Sequence, residues 1–185
     1  IFPFWNPYVF CGMPFFGDIQ AAVLYPLNLL LTFFASDEWL SPLLVEYQII
    51  AHVLLAGAGM YLLARDIRCG RAGSAVGALS YMFGGFMTAH IFHVNLVHAI
   101  AWFPLVIMLF ARALERLRPG AAALCALSLA CAFLAGYPQL MVYLYYWLGA
   151  YYLYTVVIAL RGGTSLRTEA IRGGLFIGIV ALSVG

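Results

Sequence analysis

The sequence predicts an all-α polytopic membrane protein, and three observations carry that expectation. Hydrophobic residues make up 65% of the 185 residues, charged residues only 9%, and the mean hydropathy is +0.99. Soluble domains usually carry about 25% charged residues, so this composition argues against a water-soluble fold. The apolar residues also fall in runs close to the roughly 20 residues that cross a bilayer. Finally, charge is segregated. All nine basic residues are arginines, and they lie in three segments, 65–71, 112–118 and 161–172.

Residues 1–41 read as a long outer loop. Four prolines and two glycines within the first 26 residues exclude one continuous helix. The same stretch is too rich in Phe, Trp, Tyr and Leu for a solvated linker. Its apolar run 19–35 is interrupted by Gln20, Pro26 and Asn28, and so reads as an interfacial or re-entrant segment. Ser36-Asp37-Glu38 marks a polar break, and Ser41-Pro42 a helix start.

Residues 42–185 read as a transmembrane helix bundle. The expected spans are about 43–64, 72–88, 98–114, 120–135 and 140–160, with a sixth at 173–185 that is cut short. Gly73 and Gly77 in the second have the spacing that lets helices approach closely. The chain has no initiator Met, opens inside a loop and stops within an apolar run, so a piece of a longer protein is expected. Cys11, Cys69, Cys125 and Cys131 are expected to be free. Six helical residues rotate by roughly 240°, which puts Cys125 and Cys131 on different faces.

Successive arginine segments are separated by two spans, and therefore share one side of the membrane. Residues 1–41, 89–97 and 136–139 contain no basic residue. Cytoplasmic loops collect positive charge. The expected placement is thus a multi-pass membrane protein, with the arginine loops cytoplasmic and the other loops outside.

That topology gathers the informative polar residues on one face. Asp18 and Gln20 come from the first loop, beside Trp5 and Asn6. His90, His93, Asn95 and His98 come from the second, and Tyr137 and Gln139 from the third. These side chains could act on a substrate presented at the membrane surface, or simply cap helices. If helical, His90, His93 and His98 would lie within an arc of about 140°. A divalent metal on three histidines is one use of that pattern. Hydrogen bonding to a phosphate or sugar is another, and interfacial packing a third.

Glu46 and His52 lie within a span, where ionisable groups are costly. They suggest a proton path, or neutral hydrogen-bonded core groups. Tyr143, Tyr146, Trp147, Tyr151 and Tyr154 run down one broad face of the fifth span, as a ligand groove or as packing. No phosphate-cradling glycine loop, nucleophile elbow or dinucleotide fingerprint is present, and nothing points to nucleic acid.

Several motifs in one order resemble the YfhO family of bacterial membrane proteins. They are Trp5-Asn6-Pro7-Tyr8, Gly12-Met13-Pro14, Asp18-x-Gln20 and Tyr25-Pro26-x-Asn28-Leu29-Leu30 in the first loop. Gly84-Gly85-Phe86, Ala89-His90-x-x-His93-Val94-Asn95, Ala101-Trp102-x-Pro104-Leu105 and Gly136-Tyr137-Pro138-Gln139 follow. The resemblance covers roughly residues 3–140. That family is similar to GT-C glycosyltransferases, so the resemblance implies a GT-C-like bundle with a long extracytoplasmic first loop. It implies transfer of a sugar from a polyprenyl-phosphate carrier to a cell-envelope polymer on the outer face.

In that scheme Asp18 is the candidate catalytic base. Trp5, Asn6, Gln20, His90, His93, Asn95, Tyr137 and Gln139 are the candidates for binding substrate. A transporter or flippase of a lipid-linked precursor and a non-catalytic envelope scaffold are the alternatives. The cofactor requirement stays open, a divalent metal included.

Overall fold

A computed structural model describes residues 5–8, 11–15, 17–33, 41–163 and 165–184. The expected polar break at 36–38 lies outside these residues. The described chain is mostly helical. Strands β1 (Trp5–Asn6) and β2 (Met13–Pro14) pair antiparallel at its start. A one-turn 3₁₀ helix, Ile19–Ala21, and a short helix α1, Pro26–Thr32, complete the first loop. The bundle then runs α2 (Pro42–Asp66), α3 (Arg71–Phe83), α4 (Gly85–Ala89), α5 (Val94–Ala101), α6 (Phe103–Arg116), α7 (Pro119–Leu134), α8 (Pro138–Arg161) and α9 (Leu166–Val184).

Three segments are long and apolar enough to cross a membrane: Pro42–Asp66, Val94–Arg116 and Pro138–Arg161. Their burial differs in a way that orders the bundle. In the second, 56% of the most apolar window is buried inside the protein, against 28% and 17% in the others. The α5–α6 unit is therefore central, while α2 and α8 turn large apolar side chains outward. Leu54, Leu62, Tyr146 and Leu153 are examples. Such apolar outer faces suit a lipid environment.

Within the described part of the run 19–35, α1 has seven residues and measures roughly 10 Å, shorter than a bilayer core. Three later elements differ from the sequence expectation, each for a local reason. The second expected span, 72–88, is broken: Gly84 takes an extended conformation (ψ 157°) between α3 and α4. The third begins earlier than 98, at Val94, and kinks at Trp102–Phe103.

Pro104 explains that kink, since it has no N–H to give the Ile100 carbonyl one turn back. That carbonyl accepts the Tyr81 hydroxyl of α3 instead, at 2.9 Å. A bundle neighbour thus satisfies what the proline frees. The last expected span also starts earlier, and Arg167, Glu169 and Arg172 belong to α9.

The arginine-bearing segments meet at one end of the bundle. Asp66 at the end of α2 pairs with Arg112 at 3.0 Å and Arg116 at 3.6 Å. Arg172 pairs with Glu169 at 2.6 Å and donates to the Leu114 carbonyl at 3.2 Å. The main core is built by α6, α7, α8 and α9 around Phe110, Leu114, Leu129 and Leu148. All four cysteines are free.

Candidate functional site

At the opposite end three loops converge, and glycine is what lets them touch. Gly136 precedes α8 with φ +81°, a left-handed conformation that suits glycine. A Cβ built there would lie 2.2 Å from the Ile19 carbonyl oxygen. The turn before α8 is thereby pressed onto the one-turn helix of the first loop. Asp18 caps that turn, its Oδ1 accepting the Gln20 N–H at 2.9 Å. On the far side, the Asn95 amide donates to the Gln20 carbonyl, a short hydrogen bond that ties the first loop to α5.

A cleft of about 390 Å³ opens between these loops, lined by Gln20, Phe92, His93, Asn95 and Tyr137, among others. Four of the sequence-predicted binding residues, Gln20, His93, Asn95 and Tyr137, are therefore brought together although they span 118 positions, from 20 to 137. Asp18 lies on the same 3₁₀ turn but lines a neighbouring cavity of about 190 Å³ with Ile19, Phe133 and Gly136.

His90 stands beside His93, with ring centroids 5.6 Å apart, and its Nδ1 bonds the Phe86 carbonyl at 2.9 Å. Gln139 is exposed and donates to the Tyr143 hydroxyl at 3.0 Å, so it serves the start of α8. Trp5 and Asn6 remain in the β1–β2 hairpin. There Asn6 accepts the Tyr8 N–H, and the Trp5 ring covers Gly12.

The three-histidine arc is corrected. α4 ends before His90 and α5 begins after His93, so 90–98 is not one helix. His98 turns into the core while His93 is exposed. Among the described residues, no group of three His, Cys, Asp or Glu side chains is placed to hold a metal.

Beneath the cleft lies a buried polar network. Tyr25 is completely buried and stands at its centre. Its hydroxyl accepts from Trp102 Nε1–H at 3.0 Å and donates to His52 Nε2 at 2.5 Å. His52 Nδ1–H in turn donates to the Gln48 carbonyl at 2.7 Å, which fixes the neutral tautomer. Gln48 Nε2 donates to Asn28 Oδ1 at 2.8 Å, and Asn28 Nδ2 to the Ala22 carbonyl at 3.0 Å.

Burial holds the Tyr25 hydroxyl well above the usual phenol range, so it remains a donor. His98 stacks on His52 at 3.8 Å between ring centroids and on Tyr25 at 5.4 Å. Of the two ionisable groups noted within α2, His52 is this hydrogen-bonded core group, whereas Glu46 is exposed on the helix surface.

Comparisons of the chain with protein-family models, with curated proteins and with solved structures found no match.

Two signals mark the network in the sequence. Asn28 and Gln48 are isolated amides in otherwise apolar runs, and Tyr25 and Trp102 each lie within two residues of a proline. Their partnership across 77 residues is a tertiary fact with no local periodicity to reveal it.

Proposed function

We propose that this chain supplies the outer-face substrate cleft of a membrane glycosyltransferase with a GT-C-like bundle. It would move a sugar from a polyprenyl-phosphate carrier to a cell-envelope polymer. The observation that supports this best is the meeting of Gln20, His93, Asn95 and Tyr137 around one cleft, remote from every arginine-bearing segment.

A cleft with imidazole, amide and phenol groups offers hydrogen bonds to a phosphate-linked sugar. The acceptor hydroxyl attacks the anomeric carbon while the bond from that carbon to the phosphate oxygen breaks. The hydroxyl proton passes to a base, and Asp18 is the carboxylate nearest in the chain to the cleft residues. His93, exposed at the rim, holds the departing phosphate. The side bearing the cleft faces out, because the other end carries the arginines.

The test is incorporation of labelled sugar from a polyprenyl-phosphate donor into envelope polymer, with the full-length protein in membranes. Asp18→Asn keeps size and is expected to lower the rate about 10²–10⁴-fold. His93→Ala is expected to raise the donor concentration required as well as slow turnover. Near-normal incorporation by both variants at equal protein levels removes them from the site.

A transporter of a lipid-linked precursor is the second reading, favoured by the His52–His98 stack inside the bundle. It requires activity that follows a proton gradient and is lost in His52→Phe.

A further inference from the structure

The arginine end of the bundle carries more charge than its ion pairs cancel. Asp66, the last residue of α2, meets Arg112 at 3.0 Å and Arg116 at 3.6 Å through the same oxygen, Oδ1. One carboxylate thus holds two guanidinium groups side by side, and a positive charge is left over. The same contact ties the turn between α2 and α3 to the end of α6. That turn adds Arg65, Arg68 and Arg71, and Arg118 follows α6. The two adjoining segments, 65–71 and 112–118, therefore hold six arginines against two acids, Asp66 and Glu115, a formal surplus of four.

No other acid is placed to cancel that surplus. Glu115 already accepts the Tyr151 hydroxyl at 2.5 Å, and Glu169 is paired with Arg172. Asp18, Asp37, Glu38 and Glu46 lie in sequence at or before the first turns of α2, and Glu46 stands roughly 30 Å along that helix from Asp66. Arg68, Arg71 and Arg118 are exposed, and their side chains make no hydrogen bond or ion pair among the described residues.

Apolar surface begins directly beside this charge. Leu62, Ile67, Val76 and Leu124 lie within about two helical turns of the arginines and are between 46% and 66% exposed. A ligand that matches both features has an anionic head and an apolar tail in one molecule. A nucleic acid or a phosphopeptide would use the arginines and leave the apolar wall uncovered. A zwitterionic lipid would cover the wall and leave the surplus charge unbalanced. Guanidinium groups suit phosphate oxygens, and four to eight of them at the ends of membrane helices attract anionic lipid.

We infer that the arginine end is a binding surface for anionic phospholipid of the surrounding bilayer. Arg68 and Arg71 on one side of the Asp66 bridge, and Arg116 and Arg118 on the other, hold the headgroup phosphates. Asp66 positions the two sides. The surface is independent of the transfer reaction proposed for the opposite end. Arg161 and Arg167 are also exposed but stand apart from it. Tyr151 is level with Glu115, so Arg161 lies roughly 15 Å further along α8, and Arg167 opens α9 beside it.

The experiment is native mass spectrometry of the full-length protein in neutral detergent micelles. It is titrated with phosphatidylglycerol or with phosphatidylcholine of the same acyl chains. Phosphatidylglycerol is expected to bind about tenfold more tightly. Arg68→Gln combined with Arg71→Gln should weaken it about tenfold and leave phosphatidylcholine unchanged. Arg161→Gln combined with Arg167→Gln removes the same charge and should change neither affinity by more than about twofold.

Arg116→Gln combined with Arg118→Gln probes the other side of the bridge, and decides if the first pair fails to fold. Equal affinity for the two lipids, an equal loss in the Arg161 and Arg167 control, or no loss in either folded pair overturns the inference. Displacement of bound phosphatidylglycerol by millimolar inorganic phosphate at constant ionic strength would make free phosphate the ligand and overturn the lipid assignment. Sugar transfer by the Asp18 and His93 variants is read separately, so either conclusion can fail without the other.

Discussion

Replacing Tyr25 by Phe tests how the first loop is anchored in the bundle. The phenol is fully buried and packs with Ala22, Ala99 and Ala135. Phe retains that packing and the stack on His98 and removes only the oxygen. Two groups then lose a partner: the half-buried Trp102 Nε1–H, now 3.0 Å from the hydroxyl, and the buried His52 Nε2, now 2.5 Å from it. A buried orphan costs about 1–3 kcal/mol, while hydrogen bonds between membrane helices average only about 0.6 kcal/mol.

Two orphans in one network place the expected loss at about 1.5–3 kcal/mol. The assay is reversible unfolding in bicelles, followed by far-UV circular dichroism. Trp102→Phe closes a double-mutant cycle. Once the hydroxyl is gone, removing the indole N–H deletes a group that is already unpaired. The two losses should therefore fall short of additivity by about 1 kcal/mol. A loss below about 0.5 kcal/mol, the range of neutral surface changes, would refute the anchoring role. Strictly additive losses would refute the pairing.

Two further outcomes are expected. Gly136→Ala puts a methyl group 2.2 Å from the Ile19 carbonyl at φ +81°. The left-handed conformation alone costs about 1–2 kcal/mol. The first loop should lift from the turn, seen as faster amide exchange over residues 18–25; unchanged protection would show that the loop is not docked there. For orientation, an impermeant maleimide should label Gln139→Cys in intact cells and Gly163→Cys only after permeabilisation. The reverse pattern would invert the bundle.

The helical membrane class is legible in composition, and four helix starts are legible in proline. Pro26, Pro42, Pro119 and Pro138 each stand at the first position of their helix, where a missing N–H costs nothing. Pro104 works differently. It interrupts a continuous apolar run, and hydropathy is blind to the kink because apolar character persists through it. The start of α9 is missed for a related reason. Arg167, Glu169 and Arg172 look like loop residues in sequence, but Glu169 and Arg172 neutralise each other one helical turn apart.

The candidate cleft is legible only as a set of loops on one face. That Gln20 and Asn95 would touch follows from the Asn95–Gln20 hydrogen bond and the Gly136 contact, which no spacing encodes. His98 shows the limit most clearly. Its distance from His93 suggests one helical face, yet the break at His90–His93 turns it from the surface into the core.

The placement of charge bears on which ligands the protein can meet, and where. Asp66 and its partners occupy the arginine end, where Arg112 and Arg116 keep 35% and 50% of their side chains exposed. Desolvation there is small, so the pairs are tolerated but add little stability. Among the described residues, the polar groups in the interior beneath the cleft are Tyr25, Asn28, Gln48, His52, His98 and Trp102, with no carboxylate or guanidinium. In a low-dielectric bundle this avoids the penalty of an imperfectly paired ion. If the chain transfers a phosphate-linked sugar as proposed, the phosphate would be met at the loop surface, by His93 and its neighbours, because the described groups beneath the cleft offer it no counter-charge. On that proposal the sugar ring, which needs hydrogen bonds but no counter-charge, would be the part of the molecule nearer the interior.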